Sequence, residues 1–377
     1  MEPIERFAST FSEEPGFLNY ASFGPLSAAV VAENDAWMSS VSSARFGAID
    51  ALLVQEARAR EAVADLLSFR PDQVVLQPNT SMGLMHAMFG LTGAVLVSAA
   101  EFPSLPFAAV RAEQALGVSG PIWLETDHGT VSPGQIRDQL TSTIAAVAVS
   151  LVDARTGYLA DIEGIRQVIG DRLLIVDATQ GAGVTDAPFE LADIVVGGGQ
   201  KWLRAGWGTG YLALSDRAVE QLTPVVSGFV GASDADGYLP WDEVEPPARG
   251  AAAYRVSNPD HIAAARLAAA VEDVTSVGVT EIREAIAERV SRMIDLADEF
   301  ALPVVSPRNE SERAGIVVVE PPSEELSALT ASLYNHGVSA TTREGRVRFA
   351  VHAATSAETI EMLRAAFTSY ASTVRVF

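Results

Sequence analysis

The stretch LLIVDATQGAGVTDAPFELADIVVGGGQKWLRAGWGTGYLAL, residues Leu173–Leu214, decides the fold of this chain. Within it and at its edges lie three short apolar runs: Arg172–Val176, Asp193–Gly197 and Thr209–Leu214. Largely continuous runs of Val, Ile, Leu and Ala are typical of strands that are buried on both faces of a mainly parallel sheet. The stretch therefore predicts three core strands.

The chain that precedes this stretch continues the same pattern. Four further strands are predicted at Val74–Gln77, Ala94–Ser98, Pro121–Leu124 and Ile144–Val152. Helical stretches lie between or before them, at Ala48–Leu67, Met82–Phe89 and Phe107–Leu116. Strands that alternate with helices indicate an α/β layered domain, so we expect a seven-stranded, mainly parallel sheet flanked by helices.

A second region follows the Gly- and Pro-rich stretch Val226–Arg249. Its predicted helices are His261–Ser276, Val279–Phe300, Ser323–His336 and Ala357–Tyr370, and its predicted strands are Gly315–Glu320 and Arg346–Val351. This mixture predicts a smaller α+β domain. We expect residues 16–255 to form the large domain, and residues 256–377 to form the small domain together with residues 1–15.

Composition excludes several classes of function. The 377 residues carry 26 basic and 48 acidic side chains, a net charge of -22, which disfavours nucleic acid and acidic membrane surfaces as partners. There is no cysteine, so disulfides, thiolate metal sites and a cysteine nucleophile are excluded. The five histidines show no metal-binding spacing, and we expect no metal site. With no signal-like N-terminus and no apolar run near the roughly 18 residues of a membrane helix, we expect a soluble, cytoplasmic protein.

Of the 26 basic residues, 25 are arginine and one is lysine, Lys201. This lysine follows the strand that ends in Gly197–Gly199, and Asp177 ends the strand before it. Ligands bind at the carboxyl ends of parallel strands, so Asp177 and Lys201 should face one site. An amine beside a carboxylate is what pyridoxal 5'-phosphate (PLP) requires: Lys201 for the Schiff base and proton transfer, and Asp177 to keep the ring nitrogen protonated.

Nucleotide-binding motifs do not explain this segment. Trp202 stands where a Walker A loop needs Ser or Thr, and GxGxxG is absent. The segment resembles instead the class V aminotransferase family of fold-type I PLP enzymes, which includes cysteine desulfurases, selenocysteine lyases, kynureninases and isopenicillin N epimerase-like proteins. The family pattern, Asp-x-x-Gln or Asp-x-x-His and then a lysine some twenty residues on, falls on Asp177, Gln180 and Lys201. The resemblance implies that Gln180 hydrogen-bonds the phenolic oxygen of the cofactor.

The resemblance assigns further cofactor residues in three other segments. Thr80 and Ser81 in QPNTSMG, residues 77–83, match the phosphate loop, and helix N-termini favour phosphate. N-capping by these hydroxyls is the alternative. Phe102 matches the aromatic residue that stacks on the cofactor, and a plain core phenylalanine is its alternative. Asp153 matches a polar residue near the cofactor oxygen and the substrate.

Towards the C-terminus the resemblance implies a dimer and a substrate site. Asn258 in SNPD, residues 257–260, matches a residue that reaches the phosphate of a neighbouring subunit, which implies a homodimer, although a turn-forming Asn-Pro explains the same letters. Arg348 matches best the arginine that binds the substrate carboxylate, with Arg343 second, because guanidinium offers bidentate geometry. Arg346 is expected to be a solvated charge.

The chain departs from the family pattern beside the lysine. Gln200 and Gly198 stand where family members usually have His and Ser or Thr, so part of the phosphate contact is altered, although Gln200 can still donate a hydrogen bond to the cofactor. The desulfurase cysteine is missing, which rules out a persulfide on this chain.

These features together predict a PLP-dependent enzyme that acts on a small amino acid through a Lys201 aldimine. The reaction that we expect is that of an aminotransferase, or of a lyase of the C–S or β-elimination type without a catalytic cysteine. The alternatives are an amino-acid epimerase, a non-catalytic PLP-binding regulatory module and a nucleotide-dependent enzyme.

Overall fold

A computed structural model describes residues 2–118, 120–127, 129–233 and 243–374. Seven strands form one sheet, in the order β1-β7-β6-β5-β4-β2-β3. They are β1 (Val74–Gln77), β2 (Ala94–Ser98), β3 (Pro121–Leu124), β4 (Ile144–Ser150), β5 (Leu173–Asp177), β6 (Ile194–Gly198) and β7 (Gly210–Leu214). Strand β7 is antiparallel to both of its neighbours, and the other adjacent pairs are parallel. The predicted seven-stranded, mainly parallel sheet is confirmed.

The large sheet is buried because helices cover both of its faces. Alternate residues of β5 enter two separate apolar clusters: Leu174 and Val176 join one, and Leu173 and Ile175 join the other. This alternation explains the continuous apolar run, since both faces of the strand exclude water. The helices of the first half of the chain are α1 (Pro3–Ala8), α2 (Ala28–Ser42), α3 (Ala48–Leu53), α4 (Gln55–Leu67), α5 (Thr80–Gly90), α6 (Ser104–Leu116), α7 (Pro133–Gln139) and α8 (Ile162–Ile169).

The remaining helices are α9 (Asp216–Gln221), α10 (His261–Val277), α11 (Val279–Glu299), α12 (Leu326–Asn335) and α13 (Ala357–Val374). Helix α10 packs against α4 and α2, so it joins the second region of the chain to the first. The helix predicted over Ala48–Leu67 is wrong as one element, because it divides at Val54 into α3 and α4. No helix within the described ranges is long and apolar enough to cross a membrane.

A second, antiparallel sheet has the order β8-β10-β9 and consists of β8 (Ile316–Val319), β9 (Thr341–Arg343) and β10 (Arg346–Ala350). Strands β9 and β10 are joined by Glu344 and Gly345, whose φ angles of 50° and 81° are both left-handed. Two such residues are what a two-residue hairpin turn of type I′ requires. The sequence reasoning missed β9, a short polar strand. The other two strands of this sheet, β8 and β10, were predicted from the sequence. The division into a large and a small domain stays a prediction.

The N-terminal segment lies against the small sheet. Phe17 forms a bridge with Ser339, and Asn19 forms one with Ala350. Further along, the N–H of Gly24 donates to the carbonyl oxygen of Gln200 at 2.9 Å. The segment thus connects the small sheet to the loop that carries Lys201.

Candidate active site

Strands β4, β5 and β6 end side by side, and a cavity of about 180 Å³ opens at these ends. Asp177 is the last residue of β5, and Lys201 follows β6 in the loop after Gly198. Both line the cavity, together with five of the predicted cofactor residues: Thr80, Ser81, Phe102, Gln180 and Gln200. We call this space the lysine cavity. The structure therefore brings together seven predicted residues from four segments of the chain.

The acid and the amine of the lysine cavity are both held away from water. The Asp177 side chain accepts a hydrogen bond from the Thr179 N–H at 2.9 Å, and its burial raises the pKa of the carboxyl group. Burial lowers the pKa of Lys201 to about 8, against the opposing effect of Asp177. Two arginines, Arg348 and Arg343, lower the pKa of Lys201 further. A substantial fraction of the amine is therefore neutral, and so nucleophilic, near pH 8.

The start of helix α5 presents hydroxyl groups to the cavity. Asn79 is the N-cap residue, and its Oδ1 accepts from the Met82 N–H at 3.0 Å. N-capping therefore does not account for Thr80 and Ser81, which were the residues considered for that role. The hydroxyl of Thr80 lies 2.9 Å from that of Thr179. Backbone N–H groups at a helix start and neighbouring hydroxyls suit an anion such as phosphate.

Two other predicted residues border the site in different ways. The amide of Gln180 donates to the Ala21 carbonyl at 3.0 Å and accepts from the Trp202 indole at 2.7 Å, which fixes its orientation. Its second N–H has no acceptor within the described part of the chain. Phe102 is 37% exposed, so it is not a core residue. The Nζ of Lys201 lies 5.2 Å from the centre of the Phe102 ring, which places the ring at the amine.

Gly198 and Gln200 depend on each other. A Cβ atom built on Gly198 would lie 2.4 Å from the Gln200 Oε1 and 2.9 Å from the Thr80 Oγ1. A side chain at residue 198 would therefore displace the amide of Gln200. The two departures from the family pattern are therefore neighbours in space, next to Thr80 at the start of helix α5.

A larger cavity of about 300 Å³ adjoins the lysine cavity, since Phe102 and Ala154 line both. Four arginines line it: Arg155, Arg343, Arg346 and Arg348. We call it the arginine cavity. It contains both residues that were predicted to bind the substrate carboxylate, and it receives them from strands β9 and β10 of the small sheet.

Arg348 is held in place by neutral partners. It donates to the Ala154 carbonyl at 2.9 Å and to the Ser22 hydroxyl at 3.0 Å, while its Nε is buried without an acceptor among the described residues. Burial, and secondly Arg343, lower the pKa of Arg348 to about 10. Arg346 differs, because its Nε donates to the Glu320 carboxylate at 2.9 Å near the surface.

Glu101 is a site residue that the sequence reasoning missed. It lines the arginine cavity, is 8% exposed, and accepts from the Ser150 N–H at 3.1 Å. Burial raises the pKa of Glu101 to about 7, and the nearby Asp153 and Asp177 contribute to the shift. Its position directly before Phe102 was the available signal, but sequence alone does not show that this loop carboxyl is buried.

Three residues do not join the lysine cavity. The Asp153 Oδ1 accepts from the N–H groups of Arg155 and Thr156, so the carboxylate caps its own turn, and the predicted place near the cofactor oxygen is not supported. Asn258 lines a separate cavity of about 280 Å³ beside Gln77 and Pro78. His352 is wholly buried against aromatic rings and lines neither of the two cavities. His128 lies outside the described residues.

A profile of the family described as Aminotransferase class-V matches residues 28–376. The chain belongs to the class-V aminotransferase family. This confirms the resemblance and shows that the protein is an enzyme of a PLP-dependent family. No curated protein matches the chain.

Solved structures show that this class-V enzyme shares its fold with desulfurases and lyases. An apo cysteine desulfurase from Thermococcus onnurineus NA1 matches with a TM-score of 0.86 at 19% identity, over 99% of this chain and 98% of the other. The cystine C–S lyase C-DES, in complex with its reaction product cysteine persulfide, gives 0.84 at 18% identity over 94% and 97%. The cysteine desulfurase CsdA from Escherichia coli gives 0.83 at 16% identity over 99% of both. At these identities the likeness shows the fold alone.

Proposed function

We propose that this class-V enzyme binds PLP on Lys201 and transforms a small amino acid, as an aminotransferase or as a lyase of the C–S or β-elimination type. The observation that carries the proposal is the lysine cavity, where the single lysine of the chain stands with a buried acid and a hydroxyl-bearing helix start. The amine matches the aldehyde of PLP, the buried acid matches the pyridine nitrogen, and the hydroxyl-bearing helix start matches the phosphate. The residues present therefore fit the cofactor.

Each residue has a distinct task in this proposal. Thr80, Ser81 and the N–H groups of α5 would hold the phosphate, and Gln180 has one N–H left for the phenolic oxygen. Asp177 would hold the ring nitrogen in its protonated form, and Lys201 would hold the aldehyde. The bound cofactor supplies an electron sink for the substrate's α-carbon. Lys201, once free, is the group placed to move a proton at that carbon.

The chain itself narrows the choice of reaction. No persulfide can form on a chain without cysteine. A C–S lyase of this kind would therefore release the sulfur as part of a small-molecule product and would not transfer it to a side chain of the enzyme. Epimerisation by two bases needs a second proton-transfer group on the face of the substrate opposite Lys201. Among the described residues, the lysine cavity has no ionisable group besides Asp177 and Lys201, and Glu101 lines only the adjoining arginine cavity. A two-base epimerase therefore ranks behind transamination and elimination.

Borohydride reduction of the purified protein, followed by peptide mass mapping, tests the proposal. We expect a pyridoxyl adduct on the peptide that contains Lys201, and no adduct in Lys201→Ala. A colourless protein that takes up no PLP would overturn the proposal. If the adduct forms but no amino acid in a panel changes the absorbance spectrum, the proposal that the substrate is a small amino acid is overturned.

We also propose that the enzyme is a homodimer and resides in the cytoplasm. Large apolar side chains are exposed on and beside helices α2 and α3: Met38, Phe46, Ile49, Leu53 and Val54. Apolar patches of this kind mark protein interfaces. Asn258, which lies away from Lys201 of its own chain, would reach a phosphate in the other subunit. Analytical ultracentrifugation of the holoenzyme tests the dimer, and a monomer at micromolar concentration would overturn it.

A further inference from the structure

The arginine cavity holds more positive charge than one substrate carboxylate requires. Arg348 and Arg343 both lower the pKa of Lys201, so the two guanidinium groups lie within electrostatic range of the amine. Arg343 also lowers the pKa of Arg348. Like charges that converge in this way repel each other, and the repulsion is relieved when an anion binds between them.

The protein provides few carboxylates that could neutralise the arginines of this cavity. Arg343 makes no ion pair with any carboxylate within the described ranges, and the partners of Arg348 are a carbonyl and hydroxyl groups. Two acidic residues line the cavity, Glu344 and Glu101. Glu344 is exposed in the hairpin turn, and burial raises the pKa of Glu101 to about 7, so neither is a fixed buried counter-charge.

The two arginines are presented differently. Arg348 is anchored by Ala154 and Ser22, lies partly buried, and keeps an Nε without an acceptor among the described residues. Arg343 is exposed at the last position of β9, next to the hairpin turn. The anchored guanidinium of Arg348 and the exposed guanidinium of Arg343 lie in the same cavity. Such a pair suits a ligand with two acid groups, one bound deeper in the cavity than the other.

We propose that the substrate is an amino acid with a second acidic group on its side chain, and that Arg343 binds this group while Arg348 binds the α-carboxylate. This inference rests on the function proposed above. Arg155, which is exposed and donates to the Ala100 carbonyl, adds a third cation to the lining of the cavity. A charge-assisted, bidentate contact to Arg343 would favour acidic side chains over their neutral amides.

Calorimetric titration of the holoenzyme with two matched four-carbon acids tests the inference without turnover. Succinate carries two carboxylates and butyrate carries one. We expect succinate to bind at least about tenfold more tightly, as charge-assisted hydrogen bonds of this kind contribute to binding. The Arg343→Gln variant should bring succinate close to butyrate, and Arg346→Gln should leave the ratio unchanged, because Arg346 is already paired with Glu320.

Turnover of matched amino acids provides the second readout. We expect kcat/KM for L-aspartate or L-glutamate to exceed that for L-asparagine or L-glutamine by about tenfold or more, with the preference lost in Arg343→Gln. Equal affinities for succinate and butyrate, or equal effects of Arg343→Gln and Arg346→Gln, would overturn the inference. Such results would leave the proposed function intact, since that is tested by the pyridoxyl adduct at Lys201 and by the response of the absorbance spectrum to amino acids.

Discussion

The lysine cavity and the arginine cavity share a wall but are built in different ways. The lysine cavity is assembled from the ends of neighbouring parallel strands of the large sheet, and from the start of helix α5 and the loop after β6, which adjoin that sheet. The arginine cavity is assembled from the loop after β2, the turn after β4 and the hairpin of the small sheet. The difference indicates that the residues proposed for chemistry lie in or next to the large sheet, whereas Arg343 and Arg348, which are proposed to select the substrate, come from the small sheet.

The two cavities also differ in the charged residues that they contain. The lysine cavity contains one buried acid and one amine, whose charges oppose each other. The arginine cavity contains four arginines, of which Arg346 is paired at the surface. A change in the first cavity should therefore alter the rate of the chemical step, while a change in the second should alter which substrate binds.

The largest expected effect is that of Asp177→Asn. The amide cannot carry the negative charge that keeps the ring nitrogen protonated, so kcat should fall by about 10²- to 10⁴-fold, the range that proton-transfer groups contribute. The variant should still form the pyridoxyl adduct on Lys201 and should keep the succinate preference of the arginine cavity. Steady-state kinetics and the succinate titration measure the two cavities separately. A variant with unchanged kcat would contradict the division of roles.

Glu101→Gln should have an intermediate effect, on stability. Burial raises the pKa of Glu101 from 4.5 to about 7, so the folded protein binds an extra proton between these values. The contribution of this extra proton to the free energy of unfolding is complete below pH 4.5 and is lost as the pH rises through about 7. The free energy of unfolding should therefore lose up to roughly 3 kcal/mol across this window in wild type, and less in Glu101→Gln.

Urea unfolding at pH 5 and pH 8 measures this difference. The matched control is Glu344→Gln, which changes an exposed carboxyl that lines the same cavity. Equal pH dependence in wild type and Glu101→Gln would show that the Glu101 carboxyl is hydrated.

The smallest expected effect concerns Gly198 and Gln200. A serine at position 198 would have to displace the Gln200 amide, so Gly198→Ser should lower the free energy of unfolding by about 1 kcal/mol and weaken PLP binding. Adding Gln200→Ala should recover part of this loss, with a coupling energy of about 0.5 kcal/mol or more. Unfolding and PLP titrations of the two single variants and the double variant measure the coupling. Strictly additive effects on the free energy of unfolding and on PLP binding would show that residues 198 and 200 do not interact.

Much of the fold could be predicted because its signal is local. Strands β1, β2 and β3 begin and end at the predicted residues, since short apolar runs between turns are typical of strands. Strand β9 was missed because its residues, Thr341–Arg343, are polar and only pair with β10 after the hairpin forms. Likewise, the sequence showed a carboxyl at Asp153 but not that the turn of Thr156 would use it.

The sequence by itself determined the lysine, its acidic partner and the strand ends that carry them, because the carboxyl ends of parallel strands meet at one edge of a sheet. Only the tertiary structure decided the burial of Glu101, the contact of Ser22 with Arg348, and the placement of Arg343 in the same cavity as Arg348. Ser22 and Arg348 are far apart along the chain, and no periodicity or spacing encodes such a contact. It exists only after both sheets have packed, when burial and charge are set by neighbours in space.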